Sequence, residues 1–246
     1  MPSVECSFIN NVVWETFPPT YTALADNIHV WRLQIFANLN LVKSMPALLF
    51  PDELVRTNSY LQEKDRQRFV LSRGVLRMLL SAYLGEPAAN ILFSVGDNKK
   101  PFVRSNNKNV HYNIAHAGGW ILIAISASSV GTDIEQVNPA FDYSEILPIC
   151  FSNDEAQSIE NNKDFYRLWT RKEALVKATG KGIDDDLPFI PCMEGTQEAI
   201  ADKIGSDKNW NISSFEIGDQ YIASVAYDPS IRNISFFEVK SIIRRP

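Results

Sequence analysis

The sequence predicts an α+β fold of two similar halves, related by a pseudo-twofold and separated by a cleft. The order of elements indicates this class, because strand, long helix and strands are followed by strand, helices and strands. The length of 246 residues allows two domains of about 120 residues each. We divide the chain into an N-terminal segment (1–27), an N-terminal half (28–126) and a C-terminal half (127–246).

In the N-terminal half, residues 28–36 are rich in β-branched and aromatic side chains and predict a strand. A helix is expected to begin at Pro51, and the apolar spacing over 65–84 predicts a longer one. Gly85 and Pro87 indicate where that helix ends. Short strands are predicted at 91–95, 102–103, 110–115 and 120–126.

The C-terminal half is expected to begin with a strand over 131–137. Ser152, with Glu155 three residues later, has the pattern of a capping box and predicts a helix start. A longer helix is predicted from about 163 to 179, ending at Gly180. The closing strands are predicted at 212–217, 220–227 and 234–239.

Composition favours an ordinary globular protein, with 45% hydrophobic and 22% charged residues. The formal net charge of −5 excludes a global basic field for nucleic acid or membrane binding. The three cysteines lack metal-ligand spacing, and no signal peptide is evident, so we expect a cytoplasmic protein with inert thiols. The longest apolar run, 120–125, is too short to span a bilayer.

A first group of candidate functional residues lies in the strand 131–137. Side chains at positions i and i+2 of a strand share a face, so Asp133 and Glu135 present two carboxylates side by side. Exposed strands often carry such acidic alternation. On its own the pattern therefore fits a solvated edge strand better than a binding site.

A second group lies on the helix that ends at Gly180. Glu173 and Lys177 are four residues apart on one face, an ordinary helix-stabilising spacing. Beyond the helix, Gly180 and Gly182 flank Lys181, which suits a loop passing close to a ligand. On its own this pattern also fits a purely structural pair.

The third candidate is His116, between a predicted buried strand and the Gly118-Gly119 turn. A single histidine in a turn is more often a surface residue than a functional one. Its position still makes a ligand contact from the loop plausible.

Together, in this order and spacing, the three groups resemble the 4′-phosphopantetheinyl transferase superfamily, specifically its long pseudo-dimeric type. That family has a Ser-His turn, Gly-x-Asp-x-Glu, and Trp-x-x-Lys-Glu-Ala-x-x-Lys-x-x-Gly-x-Gly. The last two motifs are complete here, at 131–135 and 169–182. The family's arginine-bearing helix matches 68–77. The resemblance covers about residues 50 to 227.

Two positions depart from the family pattern. Ala115 stands where the family usually has serine before the histidine, which removes a hydroxyl contact and predicts an altered coenzyme A affinity. Lys99 replaces the glycine of the family's Gly-Lys-Pro turn, which otherwise matches Lys100-Pro101.

The resemblance implies Mg²⁺-dependent transfer of 4′-phosphopantetheine from coenzyme A to a serine of an apo acyl- or peptidyl-carrier protein, releasing 3′,5′-ADP. It implies that Asp133, Glu135 and Glu173 bind Mg²⁺, which prefers hard oxygen ligands and phosphates. Serine needs a base, and Glu173 or a water that it holds is the best candidate. Lys177 is expected to offset charge on the leaving phosphate.

The 3′-phosphate of coenzyme A needs a cationic site within this acidic chain. By the resemblance, Arg68, Lys100 and His116 serve there, with Arg56 a less certain match and Arg73 on the same helix as Arg68. Lys181 completes the predicted coenzyme A contacts. Alternatively, the arginines have a structural role on a solvated helix face, where the aliphatic parts of their side chains cover apolar surface.

Two other functions remain open. One is a non-catalytic homologue that binds coenzyme A or a carrier protein, although all four residues of the catalytic set are present. The other is a Mg²⁺-dependent phosphoesterase, which leaves the cationic group without a role.

We expect a monomer, because one long chain can supply both sides of the cleft. For carrier docking we consider 137–165, with apolar side chains at Phe141, Tyr143, Ile146, Leu147 and Phe151 that could equally pack in the core.

Overall fold

The structure is a computed structural model that describes residues 1–16, 24, 26–96, 100–104 and 109–239. Its strands, in chain order, are β1 (Ser3–Phe8), β2 (Glu15–Thr16), β3 (Asn27–Gln34), β4 (Leu92–Val95), β5 (Pro101–Arg104), β6 (His111–Ala117), β7 (Trp120–Ser126), β8 (Val130–Gln136), β9 (Gly195–Glu198), β10 (Trp210–Glu216), β11 (Tyr221–Tyr227) and β12 (Asn233–Glu238). Its α-helices are α1 (Pro51–Ser59), α2 (Glu63–Leu84), α3 (Leu147–Cys150), α4 (Asn153–Ser158), α5 (Asn162–Thr179) and α6 (Ala201–Ile204). Short 3-10 helices cover Phe36–Lys43, Met45–Leu48, Ala88–Asn90 and Leu187–Phe189.

Ten of these strands form two five-stranded sheets, and β4 and β5 pair as a separate two-stranded sheet. The two large sheets confirm the predicted α+β class with two halves. The orders are β2-β12-β3-β7-β6 and β8-β11-β10-β1-β9. In each half a strand precedes the long helix, and two consecutive strands after the helix join it in the same sheet. The last of the three pairs antiparallel between the other two: β3-β7-β6 and β8-β11-β10. The halves therefore share one topology; their relation by a twofold rotation stays a prediction.

The two chain ends cross between the halves. β1 pairs parallel with β10 and antiparallel with β9, so it is an inner strand of the second sheet. β12 pairs parallel with β3 and β2, so it belongs to the first sheet. The structure thus differs from the predicted division at both ends, since 1–27 contains a strand of the C-terminal half and 233–238 completes the N-terminal half. Residues 17–19, part of the predicted N-terminal segment, lie outside the described residues.

The long helices end where the sequence predicts. α2 is followed by Gly85 with φ 75°, and α5 by Gly180 with φ 81°. Both are left-handed conformations that glycine adopts without steric cost. The capping box at Ser152 is also confirmed, because its side chain accepts from the Glu155 N–H while the Glu155 carboxylate accepts from the Ser152 N–H.

Three hydrophobic clusters hold the layers together. One packs α2 against one face of β3 and β7, including Trp31 and Ile123. A second packs α5 against β1 and β10, including Cys6 and Ile212. The third joins the opposite faces of the two sheets, so that the halves share a core. In the described part of the chain, no helix has the length and apolar character needed to cross a membrane.

A buried ion pair fixes α5 in the C-terminal half. The Lys172 ammonium is fully buried and donates to the Glu155 carboxylate at 2.7 Å. It also donates to the carbonyls of Leu187 at 2.8 Å and Ile190 at 2.6 Å. All three donor positions of the ammonium are therefore used, and the residue next to Glu173 on α5 is held in place.

Candidate functional site

The carboxylates of β8 lie against α5 and are withdrawn from solvent. Asp133 is buried and Glu135 is half-buried, although β8 is the last strand of its sheet. The free edge is shielded by β6, where the Asn113 amide oxygen accepts from the Thr132 N–H at 2.9 Å. The interpretation of the strand at 131–137 as a solvated acidic edge strand is therefore wrong.

Gly131 sets how closely α5 approaches β8. A Cβ at this position would collide with the Ala174 carbonyl and the Ala178 N–H and would lie 2.9 Å from the Ala178 Cα. These are backbone atoms of the helix that carries Glu173 and Lys177, so they cannot move without moving the helix. The glycine of the Gly-x-Asp-x-Glu motif therefore brings the helix side chains next to the strand carboxylates.

We expect Gly131→Ala to lower the free energy of unfolding by about 1–3 kcal/mol, the range for overpacking. We also expect turnover to fall about 10²-fold, because a helix shift of about 1 Å misplaces the site. Urea denaturation and steady-state assays measure these effects. Gly96→Ala is the matched control, since among the described residues its Cβ would meet the Lys100 carbonyl alone, at 3.6 Å. Equal stability of the two variants would contradict this role of Gly131.

Lys177 links the strand carboxylates to the helix carboxylate. Its ammonium lies 2.5 Å from Asp133 Oδ1 and 3.7 Å from Glu173 Oε2. The second oxygen of Asp133 is buried and has no hydrogen-bond partner among the described residues. Because a buried carboxylate oxygen without a partner is costly, this atom is suited to a cationic ligand.

Burial raises the pKa values of all three carboxyl groups, and repulsion by neighbouring carboxylates adds to this for Glu135 and Glu173. Burial is the largest cause for each of them. The pKa of Glu135 is raised to about 7, with Asp133 and Glu173 adding to the effect of burial. The negative charge of Asp133 also raises the pKa of Glu173. The three groups therefore lie within electrostatic range of one another, which favours binding of a cation between them.

The donor chemistry of this cluster fits Mg²⁺, which takes carboxylate oxygens. The unpartnered Asp133 oxygen supports the fit. As placed, however, no group of three or more His, Cys, Asp or Glu side chains in the described residues stands close enough to hold a metal ion. The assignment of Asp133, Glu135 and Glu173 as Mg²⁺ ligands thus stays a prediction.

A cleft of about 300 Å³ collects most of the predicted cationic residues. Arg56, Arg68, Arg73 and His116 line it from the N-terminal half, and Lys177 lines it from the C-terminal half. The cleft therefore lies between the halves. Lys177 joins it to the carboxylate cluster, by which we mean Asp133, Glu135 and Glu173.

The cations of the cleft are only partly neutralised. Arg68 pairs with Asp65 at 2.8 Å, and Arg73 lies 3.6 Å from Glu53. Arg56 stacks over Phe69, with 5.1 Å from its guanidinium carbon to the ring centroid. Burial and the nearby Arg68 charge lower the pKa of His116. An anionic ligand would relieve this concentration of positive charge.

Lys100 and Lys181 are not among the described residues that line this cleft, and their predicted contacts with coenzyme A stay predictions. The Lys100 ammonium donates to the carbonyls of Ala178 at 2.6 Å and Val130 at 3.3 Å, and burial lowers its pKa to about 8. The carbonyls near the end of α5 attract a cation. Lys181 pairs with Asp184 at 2.7 Å and Asp186 at 2.8 Å. Lys99 lies outside the described residues.

The aromatic residues considered for docking pack around Phe165 instead. The rings of Phe141, Tyr143 and Phe151 lie 5.0–5.7 Å from that of Phe165 between centroids. Ile146 and Leu147 pack against the same hydrophobic cluster. The large apolar side chain that is exposed in this region is Ile149, at 66%.

Trp169 is a site residue for which the sequence suggested no role. Its indole, which can only donate, lies near the Glu135 carboxyl group and lowers the pKa of that group. Trp169, Glu173 and Lys177 are successively four residues apart on α5 and therefore share one face. That spacing is the signal by which Trp169 could have been found. Tyr112 and Asn113 also line the cleft and have no comparable sequence signal.

The comparisons with known proteins agree with this geometry. Residues 40–128 match the family model described as "4'-phosphopantetheinyl transferase, N-terminal", and residues 129–226 match "4'-phosphopantetheinyl transferase superfamily". The chain is 29% identical over 222 residues to the 4'-phosphopantetheinyl transferase HetI of Nostoc sp., covering 87% of this chain and 92% of that protein.

Two further relatives cover less of the chain. Protein slr0495 of Synechocystis sp. is 33% identical over 183 residues, covering 71% of this chain and 74% of that protein. The 4'-phosphopantetheinyl transferase Sfp of Bacillus subtilis is 28% identical over 143 residues, covering 56% of this chain and 62% of that protein. We conclude that the chain belongs to the 4′-phosphopantetheinyl transferase superfamily, as an enzyme of the long, Sfp-like type.

Proposed function

We propose that the enzyme transfers 4′-phosphopantetheine from coenzyme A to a serine of an apo acyl- or peptidyl-carrier protein, in a Mg²⁺-dependent reaction that releases 3′,5′-ADP. One observation carries the proposal. Lys177 lies at the same time in the arginine-lined cleft and against Asp133. A phosphate-bearing ligand in the cleft would therefore extend to the carboxylate cluster, where phosphoryl transfer needs charge control.

Coenzyme A fits the cleft by charge and by chemistry. Its 3′-phosphate would contact Arg56, Arg68, Arg73 and His116, while the pyrophosphate would lie towards Lys177. Arginine binds phosphate oxygens through two parallel donors. A ligand phosphate would compete with Asp65 for Arg68 and with Glu53 for Arg73.

Asp133, Glu135 and Glu173 are the residues that would hold Mg²⁺. When bound, the ion would neutralise charge on the pyrophosphate and help to orient it. The indole N–H of Trp169 would donate to the Glu135 carboxylate and keep it in orientation. The raised pKa of Glu173 suits a general base, because its affinity for a proton is greater than that of a free carboxylate.

Two residues of this chain take part in the proposed transfer, one as proton acceptor and one as a positive charge. The serine hydroxyl gives its proton to Glu173, and its oxygen bonds to the phosphorus nearer pantetheine. The bond from that phosphorus to the bridging oxygen breaks, and 3′,5′-ADP leaves with the electron pair. Lys177 would offset the charge that grows on the leaving phosphate.

Incubation of the enzyme with coenzyme A and apo-carrier proteins tests the proposal. Intact-protein mass spectrometry should show one added phosphopantetheine per carrier with Mg²⁺ and none with a chelator. Carriers from fatty-acid, polyketide and peptide synthetases are all tested, so that a negative result does not depend on one unsuitable carrier. Binding of coenzyme A with no mass gain on any carrier would favour the non-catalytic alternative, and phosphate release without carrier would favour a phosphoesterase.

We further propose that the active species is a monomer. Residues of both halves line the cleft within one chain, with Arg68 from α2 and Lys177 from α5. No second copy is needed to complete that lining. Sedimentation equilibrium under assay conditions should give the mass of one chain, and an obligate trimer would contradict the proposal.

A further inference from the structure

Lys100 belongs to the N-terminal half and reaches into the C-terminal half. It directly precedes β5, and its carbonyl accepts from the Gly96 N–H at 2.9 Å, which closes the hairpin of β4 and β5. Its ammonium donates to the carbonyl of Val130, at the start of β8, and to that of Ala178, near the end of α5. One side chain therefore joins three elements across the two halves.

The two carbonyls that accept from Lys100 lie outside the regular hydrogen bonding of their elements. The last four carbonyls of a helix find no donor within that helix, and Ala178 is the second-last residue of α5. β8 is the last strand of its sheet, so one of its edges has no neighbouring strand in that sheet. Lys100 supplies a donor to both elements.

A second side chain of the N-terminal half contacts the same edge of β8. The Asn113 amide oxygen accepts from the Thr132 N–H at 2.9 Å. Residues two apart in a strand direct their backbone groups to the same edge, so the Val130 carbonyl and the Thr132 N–H lie on one edge. Lys100 and Asn113 therefore take the place of a neighbouring strand there.

The hydrogen bonds of Lys100 lie where α5 comes closest to β8. Gly131 has no Cβ, which lets the Ala178 backbone approach it. Lys177 immediately precedes Ala178, and its ammonium lies 2.5 Å from Asp133 Oδ1 on β8. Any change in the distance between strand and helix at this point therefore changes the position of Lys177 relative to Asp133.

The charge of Lys100 interacts with peptide dipoles. In the described part of the chain its ammonium pairs with no carboxylate, and burial lowers its pKa to about 8, so it stays mostly charged at neutral pH. The unpaired carbonyls at the end of a helix carry partial negative charge and attract a cation. Burial, and secondly the charge of Lys100, lower the pKa of the neighbouring His111, which is therefore mostly neutral at the same pH.

From these contacts and their place beside the carboxylate cluster, we propose that Lys100 is a positioning residue, which fixes Lys177 by joining β8 to the end of α5. The inference rests on the proposed function, in which Lys177 offsets charge on the leaving phosphate. Lys100 then acts on the chemical step without touching coenzyme A. Its loss should therefore lower kcat and leave KM for coenzyme A nearly unchanged.

Steady-state kinetics of Lys100→Met, with coenzyme A varied at saturating apo-carrier, test the inference. We expect kcat to fall about 10–100-fold, because small displacements of a reacting group have effects of this size. KM for coenzyme A should stay within about twofold of the wild-type value. Lys100→Arg keeps the positive charge and the donors, so it should retain kcat within about threefold.

A double-mutant cycle separates positioning from a general structural effect. In the Lys177→Ala background, adding Lys100→Met should lower kcat less than about threefold, because the side chain that Lys100 positions is already absent. A purely structural role would lower kcat by the same factor in both backgrounds.

Lys163→Met is the matched control, because Lys163 lies near the start of α5 with its side chain 50% exposed. It should leave kcat and KM unchanged. Thermal unfolding of each variant excludes misfolding, and Lys100→Met should melt about 2–4 °C below wild type through loss of a contact at the helix end. If Lys100→Met does not fold, Lys100→Gln replaces it, since its amide still donates but carries no charge.

The outcomes separate the possible failures. Wild-type kcat in Lys100→Met overturns the inference, and a raised KM for coenzyme A with that kcat would show that Lys100 contacts the nucleotide. Equal losses of kcat in Lys100→Arg and Lys100→Met, or equal factors in the two backgrounds, also overturn it. Wild-type kcat in Lys177→Ala removes the proposed role of Lys177 and the inference with it. Wild-type enzyme that modifies no carrier defeats the proposed function itself.

Discussion

Replacing Lys172 by methionine is expected to lower the free energy of unfolding by about 3–5 kcal/mol, the range for breaking a buried ion pair. The Glu155 side chain is only 5% exposed, so it would remain as a buried anion. The Leu187 and Ile190 carbonyls would lose their donor as well. Desolvation of these groups is not recovered elsewhere, and this makes the effect large.

Urea denaturation of wild type and Lys172→Met measures this loss. Lys163→Met on the same helix is the matched control, since its pair with Glu216 is exposed at 50% and 38%. An exposed pair contributes about 0–1 kcal/mol. Adding Glu155→Gln to Lys172→Met should recover part of the loss, because it removes the unpaired buried charge. If Lys172→Met and Lys163→Met are equally stable, the buried pair does not hold the helix.

The ion pair between Glu155 and Lys172 also shows what the sequence could and could not predict. Glu155 was expected as a capping residue, which the structure confirms. Its second contact, with Lys172, joins α4 to α5 and depends on how two helices pack. Local spacing determines which face a side chain takes, but it does not determine the partner that the face meets. The buried partner was therefore missed.

The same distinction applies to the fold and the site. Most strands and both long helices were predicted, because periodicity and terminal glycines are local signals. The pairing of β1 with β10 and of β12 with β3 was missed, since it joins residues about 200 positions apart. Asp133 and Glu135 were placed on one face by the strand period, whereas the capture of Lys100 by helix carbonyls depends on tertiary packing.

The other large expected effect concerns the chemical step. Under the proposed function, Glu173→Gln should lower kcat severely, by about 10²–10⁴-fold, the usual contribution of a general base. A glutamine keeps the size of the side chain but cannot accept the serine proton or contribute a negative charge. Coenzyme A binding should largely remain, because it rests on the arginine-lined cleft.

Lys177→Ala should also lower kcat more than it raises KM. An interaction made chiefly as the phosphate bond breaks contributes to the transition state and not to substrate binding. Arg68→Ala is the contrasting variant, expected to raise KM for coenzyme A while largely keeping kcat. Steady-state kinetics of the three variants with one apo-carrier give all these values.

The structure adds a second measurement for Lys177, because its ammonium neutralises buried Asp133 at 2.5 Å. Without Mg²⁺, Lys177→Ala leaves that carboxylate unpaired, so its melting temperature should fall below that of wild type. If the carboxylates bind Mg²⁺, adding the ion should stabilise this variant more than wild type, since the ion replaces the lost positive charge. A variant with unchanged kcat and a melting temperature that Mg²⁺ does not alter would make Lys177 a structural ion-pair residue. Near wild-type turnover in Glu173→Gln would remove the proposed base as well, since no proton transfer to that side chain would then limit the reaction.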